Sequence, residues 1–113
     1  MYLVVKTSLE EVEKKGSLYE AGRGHWYINP FKAEKCSHAI ITLRGSRKIK
    51  AVYKISDWKK TFSHRYQFEG VADIPLSRAL VGKFLNSNLF KRGQRNPVSY
   101  IEENNLLENY PFN

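Results

Sequence analysis

The clearest alternation of apolar and polar positions runs from Lys48 to Ile55. Ile49, Ala51, Tyr53 and Ile55 fall on one face of an extended chain, and Lys48, Lys50 and Lys54 on the other, with Val52 among them. A period of two predicts a strand with one face for the core and one row of ammonium groups for solvent. Ala39 to Arg44, rich in apolar and β-branched residues, predicts a partner strand. Gly45-Ser46-Arg47 reads as the turn between them, with glycine supplying the unusual backbone angles. This hairpin, within His38 to Trp58, is the expected centre of the fold.

Elements follow on either side. Tyr2 to Lys6 predicts an opening strand. Ser8 and Glu11 fit a capping box, which starts a helix carrying Leu9 and Val12 on one face and ends it near Gly16-Ser17. Ala21-Gly22-Arg23-Gly24 reads as a flexible turn before His25, Trp26 and Tyr27. Asn29-Pro30 predicts a helix start, with a short helix to about Cys36, Phe31 packed inward, and Lys32 and Lys35 outward. A break is expected at Thr61-Phe62-Ser63. His64 to Val71 alternates again, with Tyr66 and Phe68 on one face and Arg65, Gln67 and Glu69 on the other. Asp73-Ile74-Pro75 reads as a turn, Leu76 to Leu85 as a short helix or irregular segment, Phe90 to Asn96 as a basic loop, and Pro97 to Ile101 as a last strand. The expected architecture is α+β: one domain over residues 1–113, with about five mostly antiparallel strands and two to four short helices. So many short strands in so short a chain suit a strongly curved sheet or small open barrel.

Charge sharpens the picture. The formal net charge is +8, and residues 23–65 alone carry +9 while the last twelve residues carry −3. A concentrated positive field attracts phosphate backbones, so nucleic acid, RNA or DNA, is the expected partner. An acidic protein is the alternative. Cys36 is the only cysteine, which excludes an internal disulfide and a cysteine metal cluster and fits a reducing compartment. The short apolar run at the N-terminus has no basic segment before it, so no secretory signal is expected. No apolar stretch approaches the ~20 residues that span a bilayer. The expected location is cytoplasmic, with no membrane association and no cofactor.

The candidate contacts are cationic, aromatic and amide side chains. Lys48, Lys50 and Lys54, with Arg44 and Arg47 at the turn, are placed to neutralise phosphates. Arg23, between two glycines, can approach a phosphate closely. Trp26 and Tyr27 can stack on a base, although Trp26 equally suits the core. Arg65 joins this set. Gln94 and Arg95, in a polar basic loop, offer paired hydrogen bonds to base edges. Two other functions use the same residues. His25, His38 and His64 each lie beside a strand end, and any two brought together would provide the acid and base of a metal-independent nuclease. A basic face would also serve a phage-type protein that binds and inhibits a host protein. The carboxylates Asp57, Glu69 and Asp73 lack a metal-binding spacing. Gly82-Lys83 lacks the rest of a phosphate-binding loop.

The order of Arg23-Gly24-x-Trp26, Arg65-x-x-Phe68-x-Gly70, Val81-Gly82-Lys83 and Asn96-Pro97-x-x-Tyr100 resembles small domains of bacteria and their phages. More distantly it is similar to the PUA-like group that includes the ASCH and EVE domains. The resemblance covers roughly residues 20–101. It implies a small curved-sheet module that binds RNA or modified bases in DNA, with an aromatic pocket drawn from Trp26, Tyr27 or Trp58. The G-x-K-x-x-E-x-R signature of ASCH domains is missing, so the resemblance implies no catalytic residue.

Overall fold

The computed structural model describes residues 1–62, 64–90 and 96–108, apart from the side chain of Phe62. Its organising strand is β1 (Tyr2–Thr7), whose apolar residues are buried on both faces. β1 pairs in parallel with β3 (His38–Leu43) and antiparallel with β6 (Val98–Ile101). β4 (Ile49–Phe62) continues outward from β3, β5 (Arg65–Ala72) from β4, and β2 (Trp26–Tyr27) from β5, all antiparallel. The order is β2-β5-β4-β3-β1-β6. Together with helices α1 (Leu9–Lys15), α2 (Leu18–Arg23), α3 (Pro30–Glu34) and α4 (Ile74–Leu80) this makes an α+β fold. The sheet curves until its two edges meet: the Asn29 backbone N–H, just beyond β2, donates to the Tyr100 hydroxyl on β6 at 2.9 Å.

That curvature divides the core. The concave side gathers Leu3, Val5, Ala39, Ile41, Phe68 and Val98, with Trp26, Tyr53, Ile55 and Trp58 packed against them. Phe68 is fully buried at its centre, edge-on to Tyr19 and Trp58. The convex side gathers Tyr2, Val4, Ile40, Ile49 and Val52 under Leu80 of α4, Leu85 and Leu106. The acidic tail therefore packs on the body as far as it is described, through a 3₁₀ turn at Glu103–Asn105 and an isolated bridge from Leu107 to Leu85.

Several expectations need correcting. The alternation in β4 is interrupted by a bulge: Ile41 pairs with Ala51 but Thr42 with Ile49, so Lys50 is an extra residue. An extra residue reverses the facing of what precedes it. Ile49 therefore joins Val52 on the convex side, opposite Ala51, Tyr53 and Ile55. The row of lysines is interrupted in the same way: Val52 among them is buried beneath α4, while Lys48, Lys50 and Lys54 themselves are exposed. The break expected at Thr61-Phe62-Ser63 falls at the end of that stretch, since β4 runs for 14 residues through Phe62 and β5 begins at Arg65. A second shift between Ile55 and Asp57 turns Trp58 back toward the interior, and Ser56 donates to the Glu69 carbonyl at 3.0 Å there.

The Gly-Arg-Gly turn is instead the end of helix α2, capped at its start by Ser17, which accepts from the Glu20 N–H. Gly22 suits this helix because a Cβ there would meet Ile41 Cδ1 at 2.8 Å. Asp73 is the N-cap of α4 rather than a turn residue. Phe31 points outward, 79% exposed, and Ala33 takes the buried place in α3. Asn29 fixes that phase by accepting from the Phe31 and Lys32 N–H groups. No helix among the described residues is long and apolar enough to cross a membrane.

Candidate nucleic-acid interface

One end of the sheet collects the ends of β1 and β3, the start of β5, and the segments before β2 and β6. Alternation along β1 sends Lys6 to the convex side and Thr7 to the concave side as the strand finishes. Lys6 lies over the Phe90 ring, its ammonium 4.3 Å from the centroid. Thr7 is 5% exposed, and its Oγ1 is buried without a hydrogen-bond partner among the described residues. Arg44 follows β3, its backbone N–H donating to the Thr7 carbonyl at 2.6 Å, which ties the two strand ends together.

Arg65 opens β5 directly opposite Tyr27. Its guanidinium carbon sits 4.0 Å from the centroid of the Tyr27 ring, and Nη1 donates to the His25 carbonyl at 3.0 Å. Trp26 lies beside them, half-buried, with its indole N–H donating to the Gly22 carbonyl at 2.8 Å. The backbone can pass this close to β5 only because residue 24 is glycine. A Cβ there would come within 2.9 Å of the Gln67 Cα.

These groups line two joined concavities. The first, about 290 Å³, is bordered by Lys6, Thr7, Ser8, Lys15, His25 and Arg44. Among the described residues the only acid bordering it, Glu11, is paired with Lys15 at 3.5 Å. The second, about 410 Å³, is formed by Trp26, Tyr27, Asn96 and Pro97. Trp26, Arg65 and Pro97 border both. A cationic lobe therefore opens into an aromatic one, with Arg65 at the junction. Tyr27 is 55% exposed despite its size, which leaves ring surface for a planar ligand.

The residues expected from sequence divide clearly. Trp26, Tyr27, Arg44 and Arg65 come together in these lobes. Arg47 lines a neighbouring concavity while bonding the Leu85 carbonyl and Glu108. Lys48 lies over Phe84, 5.7 Å from its centroid, and Lys50 and Lys54 are exposed on β4; none of these three borders the two lobes. Arg23 is not presented to a ligand. It is held by Glu20 at 3.2 Å, Glu69 at 3.4 Å and the Phe68 carbonyl at 3.2 Å, with its side chain 17% exposed. Gln94 and Arg95 lie outside the described residues.

No sequence pattern marks Lys6, Thr7 and Lys15 for this cleft. Lys6 reads as the end of an apolar strand and Thr7 only as the residue before the Ser8 cap, and only the pairing of β1 with β3 brings them to Arg44. His38 begins β3 and so lies a strand length from Arg44, about 17–20 Å at the usual rise. It bonds Asp73 at 2.9 Å and Ser37 at 2.8 Å, away from His25 in the cationic lobe. Among the described residues no cluster of His, Cys, Asp or Glu could hold a metal ion. Comparison with protein-family models, curated proteins and solved structures found no match.

Proposed function

We propose that the protein is a non-catalytic nucleic-acid-binding module. The cationic lobe takes a phosphate and the aromatic lobe takes a base. The observation that carries this reading is Arg65, at the border of both lobes and stacked on Tyr27. A guanidinium so placed can present N–H groups to a phosphate while extending the aromatic surface. Lys6 and Arg44 supply the remaining field, with Lys15 balanced by Glu11. A PUA-like relationship belongs to the same proposal, since it implies a base held against aromatic rings by a curved sheet. Arg47, Lys48, Lys50 and Lys54 add a broader basic surface beyond the cleft.

The test is fluorescence anisotropy with labelled RNA and DNA over a series of salt concentrations. Log affinity should fall linearly with log salt. Arg44 is exposed, and only its backbone is tied into the fold, so Arg44→Glu should weaken binding at least tenfold while Tm stays within about 2 °C, as for a surface substitution. Unchanged affinity in Arg44→Glu would overturn the placement of the phosphate. Absence of salt-dependent binding to any nucleic acid would overturn the function.

A further inference from the structure

The cationic lobe does not end at Lys6. Beyond it lies a third concavity of about 280 Å³, lined by Gly45, Ser46, Arg47, Asn86, Ser87 and Phe90. Lys6 borders this concavity as well as the cationic lobe, and Arg44 and Gly45 are successive residues on its other wall. The three concavities therefore form a series over the end of the sheet, with Trp26, Arg65 and Pro97 shared at one boundary and Lys6 at the other. It starts at Trp26 and Tyr27 on the concave side, crosses between Lys6 and Arg44, and finishes at Ser87 on the convex side.

We infer that the occupant of this groove is a single-stranded nucleic acid several nucleotides long, neither a mononucleotide nor a duplex. This rests on the nucleic-acid reading above. Three features select a single strand. Tyr27 and Trp26 offer ring surface that only an unstacked base can reach, and bases in a duplex are already stacked on each other. Lys6, Arg44 and Arg65 sit along the middle of the groove, where a backbone passes, while its far lobe offers Arg47 and the hydroxyls of Ser46 and Ser87. Lys6 is fixed at the crossing point by the Phe90 ring, so its ammonium faces whatever runs through rather than one closed pocket. Phe90 thus acts as a positioning residue for Lys6.

The experiment is an anisotropy series with labelled oligouridylates and oligodeoxythymidylates of two to about ten nucleotides, with hairpin duplexes of either kind as competitors. Single-strand grooves of this sort have site sizes of about 4 nucleotides or more. Affinity should rise at least about tenfold between two and six nucleotides and then level off, and the duplexes should compete poorly. Ser87→Asp places a negative charge in the far lobe. It should weaken the longer oligonucleotides about fivefold and leave the dinucleotide unchanged. Phe90→Leu keeps an apolar side chain but removes the ring, and should weaken oligonucleotides that cross Lys6 while Tm shows the fold intact. Binding that is flat beyond two nucleotides, with Ser87→Asp neutral, would overturn the extended groove and leave the phosphate-and-base reading standing. Duplexes competing as well as single strands would overturn the choice of a single strand. No binding at any length would overturn both.

Discussion

Replacing Arg65 by lysine separates charge from shape at the junction of the two lobes. The charge is kept. Lost are the cation–π contact with Tyr27, at 4.0 Å, and the fork that reaches the His25 carbonyl at 3.0 Å. A cation over an aromatic ring at an exposed site contributes about 0.5–1 kcal/mol. A hydrogen bond from a charged donor contributes about 1.5–3 kcal/mol when buried, and less at a half-buried residue such as Arg65. The expected destabilisation is about 1–2 kcal/mol, which for a domain of this size lowers Tm by about 4–8 °C. Binding should respond differently. The number of ionic contacts is unchanged, so the slope of log affinity against log salt should match the wild type. Affinity at fixed salt should fall by about 3–10-fold, or 0.7–1.4 kcal/mol. Arg65→Met should additionally flatten the slope by about 0.7, one phosphate contact on a single strand. Thermal melts and salt-series anisotropy on the three proteins decide the matter. An Arg65→Lys protein with wild-type Tm and affinity would show that stacking and fork geometry contribute nothing, and that Arg65 is only a charge.

Two other residues give independent checks. Gly24→Ala brings a Cβ to 2.7 Å from the Gln67 side chain and 2.9 Å from its Cα; the backbone must move, at a cost of about 1–3 kcal/mol, and a urea midpoint that does not fall would refute the close approach. The Asp73 carboxyl is held below the usual range by the Leu76 N–H and by His38. Its contribution is therefore complete above the unfolded value near ~3.9 and is lost as pH falls through the lower folded value. Asn can still cap α4, so Asp73→Asn should remove this acid dependence, and stability curves for the two proteins should converge below about pH 4. Curves that stay parallel to pH 2 would contradict it.

How far the sequence discloses this molecule depends on whether a feature is local. Ser8, Ser17, Asn29 and Asp73 each cap a helix through a bond to a backbone N–H two or three residues on, and at Ser8 and Asn29 the local pattern predicts the cap. The interior facing of Tyr66 and Phe68 follows from simple alternation. Ile49 does not, because the bulge at Lys50 is defined only against β3, and a period-two pattern carries no mark of an extra residue. Arg23 looks available between two glycines, yet Glu69, a distant residue in the chain, claims its guanidinium. In the cleft, Trp26 and Tyr27 stand out as aromatics beside glycines, and Arg44 and Arg65 as cations at strand ends. Lys6 and Thr7 carry no such mark. Their place depends on a parallel pairing of β1 with β3 that spans three helices and a strand.

The most direct test of the central claim is a titration of ¹⁵N-labelled protein with a six-nucleotide single strand, followed by NMR. The two tryptophans provide an internal comparison, since Trp26 borders the cleft and Trp58 packs against the concave core. The account predicts that the Trp26 indole N–H and the backbone amides of Thr7, Arg44 and Arg65 shift together and saturate together, while Arg78 on α4 stays in place. Shifts centred on Lys50 to Lys54 or on α4, with Trp26 silent, would contradict it.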